Sequence, residues 1–306
     1  MSPHPHLQPR RRLFCFGLGY SASRLARALI ADGWAVAGTC RTAEAAAQLR
    51  ADGIDAHLFD GVAGMDHMDA LLAGATHLLS SVPPEVDGDP VLRLHGADIA
   101  RCAGLPTGLK WVGYLSTTGA YGDTGGAWVD EAAPVAPTGD RGKRRVHAER
   151  QWLGLFGDRV GNGAAAIHVF RLAGIYGPGR SALDAARRGA SHRIIKPGHV
   201  FSRIHVDDIA AVLRASMDRP NPGAIYNVCD NFPAPSAEIT SFACKLLGIA
   251  PPPEIAFEDA DLSPMAKSFY ADNRRVRNNR IRDELGVTLT YPDYETGLRA
   301  IFAGEE

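Results

Sequence analysis

The most informative part of the sequence is the stretch LFCFGLGYSASRLARALIADGWAVAGTCR, residues Leu13–Arg41. Its first four residues, Leu13–Phe16, are apolar and suit a strand that is covered on both faces. Two glycines follow, and then leucine and alanine recur at helical spacing as far as Ala31. Asp32-Gly33 ends this helix, and Trp34–Thr39 suits a second, parallel strand. The pattern therefore predicts a strand, a glycine turn, a helix and a strand.

The glycine turn has the pattern of a dinucleotide-binding loop. Gly17 and Gly19 are spaced so that backbone amides can approach a pyrophosphate, which then lies at the positive end of a helix dipole. Ala22 occupies the third position of the pattern, where a small residue permits contact between helix and strand. The residues predicted to contact the dinucleotide are Gly17, Gly19, Tyr20, Ser21 and Ala22. The alternative is an ordinary tight turn between a strand and a helix.

The end of the second strand indicates which dinucleotide is bound. Enzymes that use NAD usually have an acidic residue there, which binds the 2′-hydroxyl of the ribose. This sequence has Cys40-Arg41-Thr42 at that point and no acid. A guanidinium can pair with a 2′-phosphate, so Arg41 favours NADP over NAD. The alternative is that Arg41 only begins the next helix in solvent.

Composition limits the protein class and its partners. The 306 residues are 45% hydrophobic and 22% charged, with a formal net charge of −1. These values are typical of a globular protein with one large α/β domain, or with a nucleotide domain and a smaller substrate lobe. The balanced charge argues against nucleic acid or an anionic membrane as a partner. No apolar run reaches the ~20 residues of a membrane span.

The five cysteines are scattered, and their spacing predicts neither a metal site nor a disulfide framework. Because free cysteines are typical of a reducing compartment, we expect a cytoplasmic protein. Residues 1–11 lack the apolar centre of a signal peptide, and we interpret them as a flexible tail.

Downstream of Arg41, apolar strands alternate with helical patterns at intervals of roughly 20–30 residues, which predicts an α/β fold with a doubly wound parallel sheet. The strands predicted there are Ala56–Phe59, Thr76–Ser81, Leu109–Ser116 and Ala164–Phe170. The helices predicted there include Ala43–Ala51, Met65–Leu72, Asp89–Ala103, Gly179–Arg188, Pro235–Leu247 and Tyr294–Phe302.

Two of the predicted strands end in further candidates for cofactor binding. Asp60 could accept a hydrogen bond from an adenine amino group, or it could cap the following turn. Ser81 ends the fourth strand, and Val82-Pro83-Pro84 forces an extended loop after it. Ligands bind at this edge of a parallel sheet, so we predict that Ser81 and Val82 contact the cofactor.

Later segments carry a more specific pattern. They are Tyr114–Asp123 (YLSTTGAYGD), Phe170–Gly179 (FRLAGIYGPG), Ile204–Ala210 (IHVDDIA), Tyr226–Val228 (YNV), Leu285–Val287 (LGV) and Tyr291-Pro292. Over roughly residues 12–303 the chain resembles the extended short-chain dehydrogenase/reductases, which include nucleotide-sugar epimerases and dehydratases. The resemblance implies an NAD(P)-binding Rossmann domain at 12–174. It also implies a smaller, mostly substrate-binding lobe at 175–306, with segments that return to the Rossmann domain.

The catalytic motif of that family is altered in this chain. Typical members have Ser or Thr after the fifth strand and Tyr-x-x-x-Lys on the next helix; the tyrosine exchanges a proton with the substrate, and the lysine lowers its pKa. By resemblance, Thr117 occupies the Ser/Thr position. When the helix is anchored on Glu149, the tyrosine position falls on Arg141 and the lysine position on Arg145. An alternative alignment uses Lys143, but no tyrosine lies four residues before it.

This change removes the usual acid and base. Arginine stays protonated in proteins, so Arg141 cannot exchange a proton as the tyrosine does. Arg141 can still bind an oxyanion or an acidic substrate group, and Arg145 can still hold a ribose hydroxyl or a phosphate.

Other residues could carry the proton or bind the substrate. Tyr121 lies on the loop after the fifth strand, although in the family this Tyr-Gly is largely a structural and cofactor-side element. By resemblance, the segment with Arg203 and His205 faces the substrate. Arg203 could bind an anionic group such as a phosphate or be an exposed arginine. His205 could be a base or a hydrogen-bonded structural histidine.

Two functions remain open. The first is an NADP-dependent oxidoreductase of the epimerase/dehydratase or reductase type, acting on a small polar or nucleotide-sugar substrate. Its catalytic candidates are Thr117, Tyr121, Arg141 and Arg145. The second is a non-catalytic NADP-binding protein that senses redox state or regulates a partner, which the missing Tyr-x-x-x-Lys supports. Family analogy also allows a homodimer.

Overall fold

The computed structural model describes residues 11–157, 165–189 and 192–304. The strands, in chain order, are β1 (Arg12–Phe16), β2 (Ala35–Cys40), β3 (Asp55–Leu58), β4 (His77–Ser80), β5 (Trp111–Thr117), β6 (Trp128–Val129), β7 (Ala166–Leu172), β8 (Gly174–Tyr176), β9 (Arg193–Ile195), β10 (Arg203–His205), β11 (Ile225–Val228), β12 (Glu254–Ala256) and β13 (Arg275–Val276).

The helices, in chain order, are α1 (Tyr20–Ala31), α2 (Ala43–Ala51), α3 (Met68–Leu72), α4 (Pro90–Ala103), α5 (Asp140–Gly154), α6 (Ala182–Arg187), α7 (Val206–Asp218), α8 (Ser236–Leu247), α9 (Pro264–Ala271), α10 (Asn279–Asp283) and α11 (Tyr294–Ala303). Short 3₁₀ helices cover Thr118–Tyr121 and Phe257–Asp259. Among the residues that the structure describes, no helix combines the length and the apolar composition that a membrane crossing needs.

The central sheet has seven strands in the order β11-β7-β5-β4-β1-β2-β3. Strand β1 is parallel to both of its neighbours, so that Phe14 pairs with Ala37 on one side and with Leu78 on the other. The order of the strands reverses between β1 and β4, and the carboxyl ends at such a switch point form the crevice where ligands bind. The predicted doubly wound α/β sheet is confirmed.

The apolar character of β1 follows from its position in the middle of this sheet. Leu13–Phe16 are completely buried, as the continuous apolar run predicted. Helix α1 packs its own apolar side against the sheet through Leu25 and Leu29, which are also buried. The helix ends at Asp32, whose backbone amide donates to the carbonyl groups of Ala28 and Leu29.

Two predicted helices are shorter in the structure. The helix predicted at Met65–Leu72 begins only at Met68, because His67 has a left-handed backbone with φ of 56° and interrupts the first turn. The helix predicted at Gly179–Arg188 begins at Ala182, where Ser181 and Asp184 form a reciprocal capping box. Residues 1–10 of the predicted tail, and Ala164 at the start of a predicted strand, lie outside the described residues.

The chain forms two compact units. The first contains Met1–Leu115, Ala148–Val169 and Ser216–Ala224, and the second contains Ser116–His147, Phe170–Ala215 and Ile225–Glu306.

Within the second unit, three pairs of short parallel strands form: β8 with β10, β9 with β12 and β6 with β13. Its apolar core is lined by Leu183 of α6, Ala243 of α8, and Leu298 and Ile301 of α11.

A buried carboxylate ties two distant segments of the second unit together. Asp208, in the first turn of α7, is fully buried, and its two oxygens accept hydrogen bonds from the backbone amides of Thr290 (2.8 Å) and Tyr291 (3.0 Å). A buried carboxyl group needs such partners, since leaving it unpaired is costly. Asp208 therefore holds residues 290–291 on the start of α7.

We expect Asp208→Ala to lower the free energy of unfolding by about 1–3 kcal/mol, because it removes both hydrogen bonds that hold residues 290–291 on α7. Urea unfolding followed by circular dichroism measures this loss. Asp208→Asn is the matched control, since its side-chain oxygen keeps one acceptor and a smaller loss is expected. If the Asp208→Ala variant is as stable as the wild type, the two hydrogen bonds do not have this structural role.

Candidate functional site

The loop after β1 in the first unit is shaped by close contacts with β4. Gly17 has φ of +82°, a conformation that L side chains rarely adopt. A Cβ atom at Gly17 would lie 3.0 Å from Ser81 Oγ and 3.1 Å from Val82 Cγ2, so a side chain would also collide there. A Cβ atom at Gly19, by contrast, would have no neighbour within 4 Å. The loop is therefore closed towards Ser81 and Val82 and open at Gly19.

Hydrogen bonds from both neighbouring strands fix this loop. The amide of Gly17 donates to Thr39 Oγ1 (2.9 Å), and the amide of Leu18 donates to the carbonyl oxygen of Thr39 (2.7 Å). On the other side, Ser81 Oγ donates to the carbonyl oxygen of Gly17. Thr39 was missed in the sequence because a threonine in a strand pattern reads as an ordinary β-branched residue.

The start of α1 presents backbone amides beside the open part of the loop. Gly19 precedes the helix without a side-chain cap, and no acidic residue occupies the first turn. Ser21 and Ala22 are buried, whereas Tyr20 is partly exposed. The first amides of a helix have no partners within the helix, and the dipole makes this end positive. The arrangement fits the pyrophosphate of a dinucleotide.

A second close approach joins this loop and the end of β1 to Gly38 of β2. A Cβ atom at Gly38 in β2 would clash with the carbonyl oxygen of Cys15 and lie 2.8 Å from Leu18 Cδ1. Only glycine allows the loop to lie this close to β2. A glycine inside a strand was the available sequence signal, because such a glycine often marks close backbone approach.

Arg41 and Asp60 follow the carboxyl ends of β2 and β3. Arg41 is exposed, directly follows β2, and forms no ion pair with another residue that the structure describes. Its position is consistent with the predicted contact to a 2′-phosphate, which stays a prediction. Asp60 Oδ1 accepts a hydrogen bond from the amide of Val62 (2.8 Å), so this aspartate caps the following turn.

Thr117 lies in the second unit, at the end of β5, and begins the 3₁₀ turn Thr118–Tyr121. Its Oγ1 accepts a hydrogen bond from the amide of Gly119 (3.1 Å), which leaves the hydroxyl proton for another acceptor. The side chain is partly exposed. Thr117 can therefore donate to an oxygen of a bound molecule.

The start of α5 packs on this turn. A Cβ atom at Gly142 would lie 2.9 Å from the carbonyl oxygen of Gly119, so the helix touches the turn that Thr117 begins. Arg141 is exposed and Arg145, one helical turn later, is partly buried. Residues four apart lie on the same face of a helix. The structure thus places both arginines on the helix that contacts the turn after Thr117.

Tyr121 is almost completely buried, and its hydroxyl donates to Asn227 Oδ1 (2.8 Å). The guanidinium carbon of Arg171 lies 4.8 Å from the centroid of the Tyr121 ring. Burial raises the pKa of Tyr121, and Arg171 offsets part of that effect. A buried phenol with a raised pKa is poorly suited to exchange protons near neutral pH, so the structure favours a structural role for Tyr121.

Asn227 was missed as a site residue in the sequence, although it lies in the YNV segment. Its side-chain amide donates to the carbonyl oxygen of Arg277 (3.2 Å), and its backbone amide donates to Glu131 Oε1 (2.7 Å). Together with the bond from Tyr121, these bonds join the turn after β5 and the segment after β6 to the residues before α10.

Arg203 is partly buried rather than exposed, so the alternative of an exposed arginine was wrong. Its Nη1 donates to the carbonyl oxygens of Phe201 (2.9 Å) and Ala234 (3.0 Å). Loss of solvent lowers the pKa of Arg203 to about 10, and the nearby Asp230 opposes this effect. An arginine held in this way can pair with an anion only where one of its other nitrogens is accessible.

Asp230 is the acidic neighbour of Arg203, and sequence reasoning missed it. Its Oδ1 accepts from the amide of Phe232 (3.3 Å), while Oδ2 is buried and has no hydrogen-bond partner among the described residues. Burial raises the pKa of Asp230 to about 8, although Arg203 and the Phe232 amide act in the opposite direction.

His205 is buried between two aromatic rings. Its ring centroid lies 4.0 Å from that of Tyr291 and 5.1 Å from that of Tyr176, and its Nδ1 accepts from the amide of Asp207 (3.2 Å). These contacts favour the hydrogen-bonded structural role over a base. Among the described residues, no group of three or more His, Cys, Asp or Glu side chains could hold a metal ion.

No family model matches this chain. The chain is 50% identical to a functionally unknown conserved protein from Silicibacter pomeroyi DSS, whose solved structure covers 97% of this chain and 99% of its own length at a TM-score of 0.86. Protein YeeZ from Escherichia coli K12 is 28% identical over 290 residues, which are 92% of this chain and 97% of YeeZ.

Two more distant solved structures share the fold. UDP-glucuronic acid 4-epimerase from Bacillus cereus, in complex with NAD, is 16% identical with a TM-score of 0.74 and covers 95% of this chain and 96% of its own. The human epimerase family protein SDR39U1 (isoform 2), with NADPH, is 17% identical with a TM-score of 0.69. The match covers 95% of this chain and 99% of SDR39U1. The fold is therefore that of the extended short-chain dehydrogenase/reductases.

Asp230 should make stability depend on pH. Its pKa is about 8 in the folded chain, against about 4 for an unperturbed aspartate, so the folded state binds the proton more tightly. The contribution of Asp230 to the free energy of unfolding therefore falls as the pH rises from about 4 to about 8. The side chain of the Asp230→Asn variant cannot titrate. We therefore expect the free energy of unfolding of the variant, relative to that of the wild type, to increase as the pH rises across this range.

Urea unfolding of both proteins at several pH values measures this difference. The pKa of Arg203, at about 10, places its titration above the range. Parallel stability curves for the two proteins would contradict the raised pKa of Asp230 in the folded chain.

Proposed function

We propose that this chain, which belongs to the same family as the Silicibacter pomeroyi protein and has the extended short-chain dehydrogenase/reductase fold, is an NADP-dependent oxidoreductase. Its reaction would be of the epimerase/dehydratase or reductase type. The observation that carries the proposal is the loop after β1, which Thr39 and Ser81 hold in place and which is open at Gly19. An ordinary turn between a strand and a helix requires neither the close approach of Ser81 and Val82 to Gly17 nor the absence of a side-chain cap at the start of α1.

Arg41 supports NADP over NAD as the cofactor. It is exposed at the end of β2, and the acid that usually binds a ribose 2′-hydroxyl is absent there. The fold alone does not distinguish NAD from NADP as the cofactor, because one structure of this fold holds NAD and another holds NADPH. The choice therefore rests on the charge of Arg41, which complements a 2′-phosphate.

The chemistry would be the exchange of a hydride with a carbinol carbon of the substrate. A bound nicotinamide would accept or donate that hydride. Thr117 would donate its hydroxyl proton in a hydrogen bond to the reacting oxygen. Arg145 would hold a ribose hydroxyl or a phosphate, and Arg141 would offset negative charge that develops on the substrate. The substrate would be small and polar or a nucleotide sugar.

The proton would not come from the family's tyrosine, because Arg141 stands at that position and stays protonated. Tyr121 is buried with its hydroxyl bonded to Asn227, and its pKa is raised by burial. Water, or a hydroxyl of the substrate itself, is then the proton source.

A second function, NADP binding without turnover, is favoured by that same substitution. A protein that binds the cofactor and reports its redox state needs the loop after β1 but not a proton donor. The two functions differ in whether hydride leaves the bound cofactor.

We expect NADPH to bind more tightly than NADH, and Arg41→Ala to weaken NADPH binding by about 10- to 100-fold, because a charge-assisted pair with the 2′-phosphate is lost. NADH binding should not change. Titration of the full-length chain, followed by nicotinamide fluorescence, measures both affinities. Arg27→Ala is the matched control, since Arg27 is an exposed cation of the same unit that pairs with Asp52.

Equal affinity for NADH and NADPH would overturn the NADP assignment. Binding of neither cofactor would overturn the proposed function as a whole.

We expect Thr117→Val to slow hydride transfer by about 100-fold, because one hydrogen bond to the reacting oxygen is lost. Transfer of deuterium from 4-deuterated NADPH to a panel of aldehydes, ketones and oxidised nucleotide sugars, detected by mass spectrometry, measures the rate. Thr117→Ser keeps the hydroxyl and should retain most of the rate. If Thr117→Val and Arg141→Ala both leave the rate unchanged, the assigned roles are wrong; if wild-type protein binds NADPH but transfers no deuterium, the binding function is favoured.

A further inference from the structure

Arg274 lies in the second unit between α9 and β13, and two acceptors fix its guanidinium. Its Nη1 donates to the carbonyl oxygen of Gly122 (2.8 Å) and to Asp272 Oδ2 (3.0 Å). The other carboxylate oxygen of Asp272 accepts from Thr138 Oγ1 (2.6 Å). The side chains of Arg274 and Asp272 are mostly buried, at 18% and 15% exposure. The guanidinium therefore has a defined orientation, unlike the guanidinium of a mobile surface arginine.

This orientation brings Nη2 of Arg274 near Thr117. A Cβ atom built on Gly119 would lie 3.4 Å from Thr117 Oγ1 and 3.9 Å from Arg274 Nη2. The hydroxyl of Thr117 and the guanidinium nitrogen of Arg274 thus both lie within 4 Å of the position that a Cβ atom of Gly119 would occupy. Any substrate that reaches Thr117 at this point also meets Arg274.

Both flanking groups can donate a hydrogen bond. The oxygen of Thr117 already accepts from the amide of Gly119, so its proton is available. Within the described part of the chain, no acceptor is bonded to Arg274 Nη2. Asp272 offsets part of the charge of Arg274, so recognition would depend on directed hydrogen bonds more than on net charge. Two convergent donors, one of them cationic, select oxygen atoms that carry negative charge.

We propose that Arg274 binds an acidic group of the substrate, a carboxylate or a phosphate, next to the oxygen that Thr117 contacts. The substrate is then a hydroxy or oxo acid, or a phosphate ester, with its acidic group close to the reacting carbon. This inference rests on the proposed function for the role of Thr117. It adds Arg274 as a residue that binds the substrate, and it places the acidic group beside the reacting carbon.

Gly119 offers a test that leaves the bonds of Arg274 intact. Its backbone lies outside the left-handed region, and a Cβ atom there would meet its nearest neighbours at 3.4 Å, an ordinary van der Waals distance. Gly119→Ala should therefore fold like the wild type while its methyl group occupies the point between Thr117 and Arg274. Arg274→Gln removes the donor but also the bonds to Gly122 and Asp272.

The experiment titrates the full-length chain with two pairs of probes, lactate against lactamide and glycerol 3-phosphate against glycerol, and follows binding by NMR. We expect at least one acid to bind about 10-fold more tightly than its neutral partner, because a charge-assisted hydrogen bond is gained. Gly119→Ala and Arg274→Gln should each reduce this preference about 10-fold. The two pairs distinguish a carboxylate from a phosphate ligand.

Arg299→Gln is the matched control, because Arg299 is an exposed cation of the same unit beside Glu295, and it should keep the preference. Equal binding of acids and neutral partners to the wild type, or an undiminished preference in Gly119→Ala, would overturn the proposal. If Arg274→Gln does not fold, Gly119→Ala alone decides. These titrations contain no cofactor, so failure of NADPH binding in the Arg41 experiment is a separate result.

Discussion

The close packing of β1 against β2 and β4 is the constraint on which the first unit depends. Leu13–Phe16 are completely buried, so the strand cannot shift without exposing apolar surface. Gly38 permits the following loop to approach β2, and Thr39 and Ser81 bond to it from opposite sides. The position of the first amides of α1 follows from these contacts. A cofactor would therefore meet amides that the sheet has already placed, which reduces the entropy lost on binding.

The second unit is organised by buried polar groups. Asp208 holds the backbone of Thr290 and Tyr291, and Asn227 joins Tyr121 to the carbonyl oxygen of Arg277. Such bonds add little net stability, but they fix one arrangement of the loops, because any other arrangement leaves buried groups unpaired. Asn227 holds the turn after Thr117 through Tyr121, and Gly122 and Asp272 hold Arg274, which is the support that a binding site requires.

The arginines that the family resemblance places at the motif positions of α5 would change the chemistry that the proposed site can perform. A tyrosine and lysine pair exchanges a proton, whereas arginine side chains offer positive charge and hydrogen-bond donors instead. Together with Arg274, they would make the surroundings of Thr117 suited to anions. In this interpretation, the chain retains the fold of its relatives and a cofactor loop, and the three arginines bind acidic groups of the substrate.

Local patterns in the sequence were sufficient for the alternation of strands and helices, the glycine turn after β1 and the position of Arg41 at the end of β2. Each of these depends on residues that are neighbours along the chain, so periodicity and spacing reveal them. The tertiary structure decided the rest. It buried Tyr121 against Asn227, placed Arg203 beside Asp230, and brought Arg274 to Gly119. These contacts join residues that are far apart in the sequence, and only packing determines which distant polar groups meet when the chain excludes water.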